Sequence, residues 1–457
     1  MYNHNIYKDI SEEKKAAIGT FAEEYKAFLS VAKTERMCVA EIEKLARAAG
    51  FRKIEECGGL QAGDGVYFLN KGKNVVLYRI GKKPLSAGMR ILGAHLDSPR
   101  LDLKQNPLYE TGDFALWDTH YYGGIKKYQY VTTPLAVHGV VCKKDGSVVE
   151  VHVGEDPADP VLGIPDLLIH LSSEQLQKKG DKLIEGEKLD LIVGSIPLAG
   201  VEKDAVKAGV LALLKEKYGM DEDDFSSAEL EVVPAGAARD FGLDRSMIAA
   251  YGHDDRVCAY PSLRALLDSK AEEYTSCGLF VDKEEIGSVG ATGASSVFFE
   301  NTVLELLHAF GEDGVYTLRK ALENSRMLSS DVNAAIDPIY SSVSDKRNAA
   351  KFNLGVVYEK YTGARGKSGA NDANPEYFAK IRRVMDEKDI HYQTGELGAV
   401  DAGGGGTIAY IAARYNMEVI DAGVPVLNMH SPMEIVAKAD VYETYLAYRA
   451  FLAAALN

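Results

Sequence analysis

The sequence predicts an α/β protein in which one layered domain, residues 1–105 and 233–457, is split by a β-rich insertion at 106–232. Three observations carry this expectation. Helix-period and strand-period segments alternate at both ends of the chain, as a layered α/β fold requires. Between them the texture changes to period-2 runs broken by turn signals. A chain of 457 residues is also long enough for about two to three domains.

In order along the chain, residues 11–50 read as two helices. Phe21, Tyr25, Phe28 and Leu29 form one apolar stripe; Val39, Ile42, Leu45 and Ala46 form another, stopped by Gly50. "VYFLNKGKNVVLYRIG" reads as a hairpin turning at Lys71-Gly72-Lys73, and "ILGAHLDSPR" as the strand after it. In the insertion, "PLAVHGVVCKKDGSVVEVHVG" turns at Asp145-Gly146. "KLDLIVGSIPL" is a further strand, "DAVKAGVLALLKEKYGM" an amphipathic helix and "DEDDF" a solvated turn. Beyond residue 232 strands and helices alternate again. "NPEYFAKIRRVMDEKDI" is a helix with Asn374 as N-cap and Pro375 at N1. "TIAYIAARYNMEVIDAGVPV" reads helix then strand, and "DVYETYLAYRAFLAAAL" as a terminal helix.

Composition narrows the function. A formal net charge of −15 argues against a nucleic-acid or anionic-membrane surface. Cys38, Cys57, Cys142, Cys258 and Cys277 are scattered and never in a CxxC pair, which reads as reduced thiols. "MYNHNIYKDISEEKK" has no apolar run of the signal-peptide kind, so a cytoplasmic protein is expected.

Five polar clusters sit at predicted element ends. His95 and Asp97 end a strand two residues apart, on one face. His253, Asp254 and Asp255 open a helix, Glu284 and Glu285 follow an apolar strand, Asp331 follows another, and His430 ends a third. Taken singly, each has an ordinary structural explanation: a solvated strand end, a helix cap, a solvated carboxylate. Together, His95, Asp254, Glu285, Asp331 and His430 are the five ligands that a carboxylate-bridged pair of Zn²⁺, Mn²⁺ or Co²⁺ ions needs. Ends of neighbouring strands in an open α/β sheet are where ligands converge. Asp97 is then placed to orient the His95 ring, and Glu284 to take a proton from metal-activated water.

At "GAHLDSP", "HDDRV", "DKEEIGS", "SSDVNAA" and "NMHSPME" the chain resembles the aspartyl aminopeptidase and aminopeptidase I family of dinuclear zinc metallo-aminopeptidases, in texture its bacterial probable-aminopeptidase branch. The resemblance spans essentially the whole chain. It implies a mixed β-sheet sandwiched by helices, as in zinc exopeptidases, with the insertion mediating dimerisation. It also implies that dimers assemble into a tetrahedral dodecamer. By the same resemblance His95, Asp254 and Asp331 hold one metal, and Asp254, Glu285 and His430 the other. Motif phase assigns the bridge to Asp254, with Asp255 as the alternative. Glu284 is implied as general base, Asp97 as the orienting acid, and His170 of "IPDLLIHLS" as a residue reaching a neighbouring subunit's site. Without the resemblance His170 reads as an ordinary strand histidine.

The chain departs from the pattern at "YTGARGKSGANDAN", 361–374, where Arg365 and Lys367 are the candidate cations for an acidic substrate side chain. "DAGGGGTIAYIA", 401–412, lacks the pattern and lysine of a phosphate loop; its glycines either admit substrate backbone or make a tight turn. The reading is an aminopeptidase acting on peptides, with two divalent ions per subunit and a homo-oligomeric assembly. Its competitors are a dinuclear amidohydrolase or deacylase and a non-catalytic assembly protein on the same fold.

Overall fold

The computed structural model describes residues 4–456. They form two compact units. The first takes the chain up to Asp97, then Ala238–Met429 and Glu434 onward; the second takes Ser98–Ala237 and His430–Met433.

The first unit is built on a nine-stranded mixed sheet. Its hairpin Gly65–Asn70 and Asn74–Arg79 turns where the sequence predicts, with Lys71 and Gly72 both at positive φ. Thr275–Val281 lies between that hairpin and Met89–His95, and Arg326–Ser329 flanks Met89–His95 on its other side. These three inner strands are parallel, with His95 beside Val281 and Gly93 beside Ser329. Their carboxyl ends therefore finish together. Glu418–Gly423, Val356–Glu359 and Tyr392–Thr394 extend the sheet to its far edge.

Both faces of the sheet are covered, so Met89–His95 and Thr275–Val281 are buried at every position rather than at alternate ones. Leu92 and Ala94 pack with the helices Glu12–Val31, Glu35–Ala48, His253–Leu267, Pro375–Glu387 and Lys438–Ala453. Met89 and Ile91 face the other way, into the core built with Phe298–Ala309 and Val315–Glu323. Phe21, Tyr25, Phe28 and Leu29 all lie in the first of these cores, as the stripe predicts. Pro375 begins its helix, but Asn374 caps it without a side-chain bond to the helix; its amide reaches Glu418 at 3.0 Å. A second, five-stranded sheet runs Arg239–Phe241, Met247–Ala250, Glu434–Ala437, Pro425–Leu427 and Asn333–Ala334.

The second unit is a six-stranded antiparallel sheet around Trp117, Leu101, Val137 and Leu191, with the helix Ala205–Tyr218 burying Val206, Val210 and Leu214. The acidic run is a short 3-10 turn, Glu222–Ser227, whose Asp221 and Asp224 cap one another and whose Phe225 is buried. His170 is not on a strand. It sits in a 3-10 turn, Ile169–Leu171, exposed among Leu167, Leu168 and Leu171. Among the described residues no helix is long and apolar enough to cross a membrane.

Asp240 ties three elements of the first unit together. Its Oδ1 lies 2.6 Å from Lys26 Nζ and 2.8 Å from Lys438 Nζ. Partial burial pushes its pKa up, but the two lysines outweigh that and hold it down at about 2, below its ordinary 3.8. The carboxylate is thus favoured in the folded state, and the stability it adds is present above 3.8 and lost as the pH falls toward 2. Asp240→Asn is expected to cost about 1 kcal/mol at neutral pH. The difference from the parent, measured by urea unfolding, should narrow as the buffer is taken below pH 4.

Candidate metal centre

The parallel strand ends and the entry of the helix His253–Leu267 bring five of the predicted residues to one place. His95 is the last residue of its strand and is buried. Its Nε2 lies 3.2 Å from Asp254 Oδ1 and 3.9 Å from Asp331 Oδ1. One donor atom from each of these three residues lies within 4.8 Å of the other two, and the same holds for His95, Glu284 and Glu285.

The His95 ring is held from behind. Its Nδ1 is 2.9 Å from the backbone carbonyl oxygen of Asp97 and 3.3 Å from that residue's Oδ1. A hydrogen on Nδ1 satisfies the carbonyl and leaves the Nε2 lone pair directed at the carboxylates, the tautomer a metal ligand needs. The orienting contact expected of the Asp97 carboxylate is therefore shared with its own carbonyl. The carboxylate does something the sequence did not suggest. Its Oδ1 accepts the backbone N–H of Glu284 and its Oδ2 that of Glu285, each at 3.1 Å. Asp97 thus fixes the turn that presents both residues. That turn, Glu284–Ile286, is bounded by left-handed residues, Lys283 at φ 67° and Gly287 at φ 97°.

The acidic doublet divides its work. Asp254 and Asp255 are joined by a cis peptide bond at the mouth of the helix His253–Leu267, and neither is helical. Asp254 aims its carboxylate at His95 Nε2. Asp255 turns back, accepting the backbone N–H of His95 at 3.3 Å. Glu434, buried on the five-stranded sheet, accepts the N–H of Asp254 at 3.0 Å and so sets the entry to the helix. Glu434 closes the motif "NMHSPME", but the motif gives it no role, because its partner is 180 residues away. His253 is structural: its Nδ1 meets the Tyr25 hydroxyl at 2.7 Å, and burial pulls its pKa down to about 3.

The electrostatics of the cluster suit a cation. Burial pushes Asp255 and Asp331 well above the usual carboxylate range, and neighbouring carboxylates add to it. Burial pulls His95 down, but Asp254 and Asp97 outweigh it and raise it well above its ordinary value. One imidazole surrounded by desolvated carboxylates, with no thiolate among them, is a donor set that fits a borderline divalent ion.

His430, at φ 65°, belongs to the short segment that groups with the second unit; its Nδ1 lies 2.8 Å from the Gly124 carbonyl oxygen, which leaves Nε2 as its basic nitrogen. Lys367 is paired with Asp372 at 3.1 Å and lies over the Tyr361 ring, whereas Arg365 is exposed. The glycine run serves loop packing: a Cβ on Gly404 would meet Ala364 at 2.6 Å, and Gly363 N–H donates to Gly405 O at 2.5 Å.

Residues 28–452 match the model of the aminopeptidase I zinc metalloprotease family, M18. The chain is 56% identical over 453 residues to the probable M18 family aminopeptidase 1 of Clostridium acetobutylicum, covering 98% of this chain and 97% of that one. A crystal structure of an M18 aminopeptidase from Thermotoga maritima superposes with a TM-score of 0.96 at 47% identity, covering 99% of each chain. The crystal structure of aminopeptidase I from Clostridium acetobutylicum gives a TM-score of 0.93 at 53% identity, covering 99% of this chain and 100% of that one. The predicted α/β architecture is thereby matched over the whole chain, and a zinc-dependent aminopeptidase is the activity the match carries. The chain belongs to the M18 family of aminopeptidase I zinc metalloproteases.

Proposed function

We propose that this aminopeptidase works through a carboxylate-bridged pair of divalent ions, one held by His95, Asp254 and Asp331 and the other by Asp254, Glu285 and His430. The observation that carries the reading is the convergence of His95, Asp254 and Asp331 donors on one buried point. Zn²⁺ suits this donor set, and Mn²⁺ or Co²⁺ would also fit. When bound, the ions supply Lewis acidity toward the scissile carbonyl and acidify water.

The other steps fall to protein groups. Glu284, whose backbone is fixed by Asp97, takes a proton from the attacking water and passes it to the leaving amine. Asp97 keeps the His95 lone pair and the Glu284 turn in register with one another. Family membership favours an aminopeptidase over a deacylase or an inert scaffold.

The finer assignments rest on particular features. A preference for acidic N-terminal residues would fall to Arg365, because Lys367 is already paired with Asp372. Exposed His170, flanked by exposed Leu168, Ile169 and Leu171, suits a contact with another subunit. We assign the 106–232 insertion the dimerisation role and expect dimers to build a tetrahedral dodecamer. Five thiols and no disulfide among the described residues suit a cytoplasmic enzyme.

Hydrolysis of a panel of aminoacyl substrates by apo, Zn²⁺, Mn²⁺ and Co²⁺ forms tests the mechanism. Glu284→Gln is expected to lower kcat about 10²–10⁴-fold with metal content unchanged. Chelation should abolish release, and Asp331→Asn should bind at least one ion less by elemental analysis. Release that survives both chelation and Glu284→Gln would overturn the reading. If acidic residues are preferred, Arg365→Gln should raise KM for N-terminal Asp and Glu about tenfold and leave leucyl substrates unchanged.

A further inference from the structure

The second unit carries a histidine pair outside the proposed catalytic set. In the antiparallel hairpin Leu135–Cys142 and Val148–Val153, His138 stands directly across from His152. Their Nδ1 atoms are 3.0 Å apart, with ring centroids at 5.3 Å and ring planes tilted by 44°. His138 is 1% exposed, while the His152 side chain is 46% exposed. Each outer nitrogen faces a carboxylate. His138 Nε2 lies 3.5 Å from Glu155 Oε1, and His152 Nε2 lies 3.7 Å from Glu150 Oε2.

The four nitrogens admit two neutral arrangements. If one ring carries its hydrogen on Nδ1, it donates to the other Nδ1 across 3.0 Å. If both rings carry it on Nε2, toward the carboxylates, two Nδ1 lone pairs face each other as a pair of metal ligands does. The second arrangement is stable only with a positive charge between them. A third proton would serve, but burial and then the neighbouring His138 lower the pKa of His152, which disfavours a proton at neutral pH. The same lowering favours a metal, whose histidine ligands must be unprotonated.

We propose that His138 and His152 bind an imidazole-seeking divalent cation such as Zn²⁺ between their Nδ1 atoms. Glu155 and Glu150 then order the two rings by accepting their Nε2 hydrogens, the carboxylate–histidine–metal arrangement of many zinc proteins. Zinc–nitrogen bonds of about 2.0 Å in a tetrahedral site put two nitrogens about 3.3 Å apart, so the rings need to part by only about 0.3 Å. Water completes the coordination through the open side of His152. On the other side of His138 its cross-strand neighbour is Glu231, whose carboxylate is paired with Arg100 at 3.4 Å. The bound ion clamps the hairpin of the second unit; it takes no part in peptide hydrolysis.

The test is zinc binding by the full-length protein, by equilibrium dialysis at neutral pH, in the parent and in His152→Gln. His152 is the half-exposed partner, so its replacement leaves the buried core intact. The parent should bind one equivalent of Zn²⁺ more than the variant, and zinc should raise the Tm of the parent by more than that of the variant. The difference should persist when both carry His95→Ala, which separates this site from the catalytic cluster. Glu155→Gln should weaken the extra equivalent about 10–100-fold, as loss of a partner that orders a ligand does. Equal zinc content in parent and His152→Gln, with equal zinc-dependent shifts in Tm, would overturn the proposal and leave an Nδ1–H···Nδ1 hydrogen bond between the two rings.

Discussion

Around His95 the fold withdraws carboxylates from water at close quarters, and most of the surrounding structure serves to keep them there. Asp254 and Asp331 approach one imidazole and Asp255 the backbone N–H of the same residue, all with side chains almost wholly buried. Two unit charges of like sign 4 Å apart repel by about 4 kcal/mol at the effective dielectric of protein sites. Such a cluster persists only where its groups are anchored by backbone that is stable for other reasons. The nine-stranded sheet is that backbone, since both its faces are sealed by separate cores. Stability generated in those cores is thus spent on holding charge in place for chemistry.

Asp97 shows how few connections such a site needs when each does two things. Its carbonyl fixes the tautomer of the residue two positions before it, and its carboxyl oxygens each hold one backbone amide of the Glu284-Glu285 turn. A single side chain therefore keeps two adjacent strand ends in step. Glu434 does the equivalent for Asp254 from the five-stranded sheet. Neither residue has to touch substrate to matter. Each turns the distance between two secondary elements into the distance between two functional groups.

The fold was legible in the sequence wherever a local rule was enough. Apolar stripes at Phe21, Tyr25, Phe28 and Leu29 marked a helix, and the Lys71-Gly72 turn marked a hairpin, because period and turn chemistry act over a few residues. The candidate cluster was legible because His95, Glu284, Glu285 and Asp331 end or follow recognisable strands and Asp254 opens a recognisable helix. Glu434 and the Asp97 amide contacts were not, since each joins residues that only the tertiary fold brings together. His170 reads as a strand residue by its apolar neighbours; the structure makes those neighbours an exposed turn, a choice that period alone does not determine. The lysine of the 361–374 loop looked available until its own loop supplied Asp372.

The two loops 361–370 and 401–406 meet through backbone at close quarters. Gly404 has no room for a side chain beside Ala364, and Gly363 bonds directly to Gly405. Neither loop can therefore drift in sequence by itself. A longer or bulkier version of one demands a matching change in the other, so variation in this region should be inherited in pairs. Anyone grafting a loop from a relative to redirect selectivity would have to transplant both segments as one cassette.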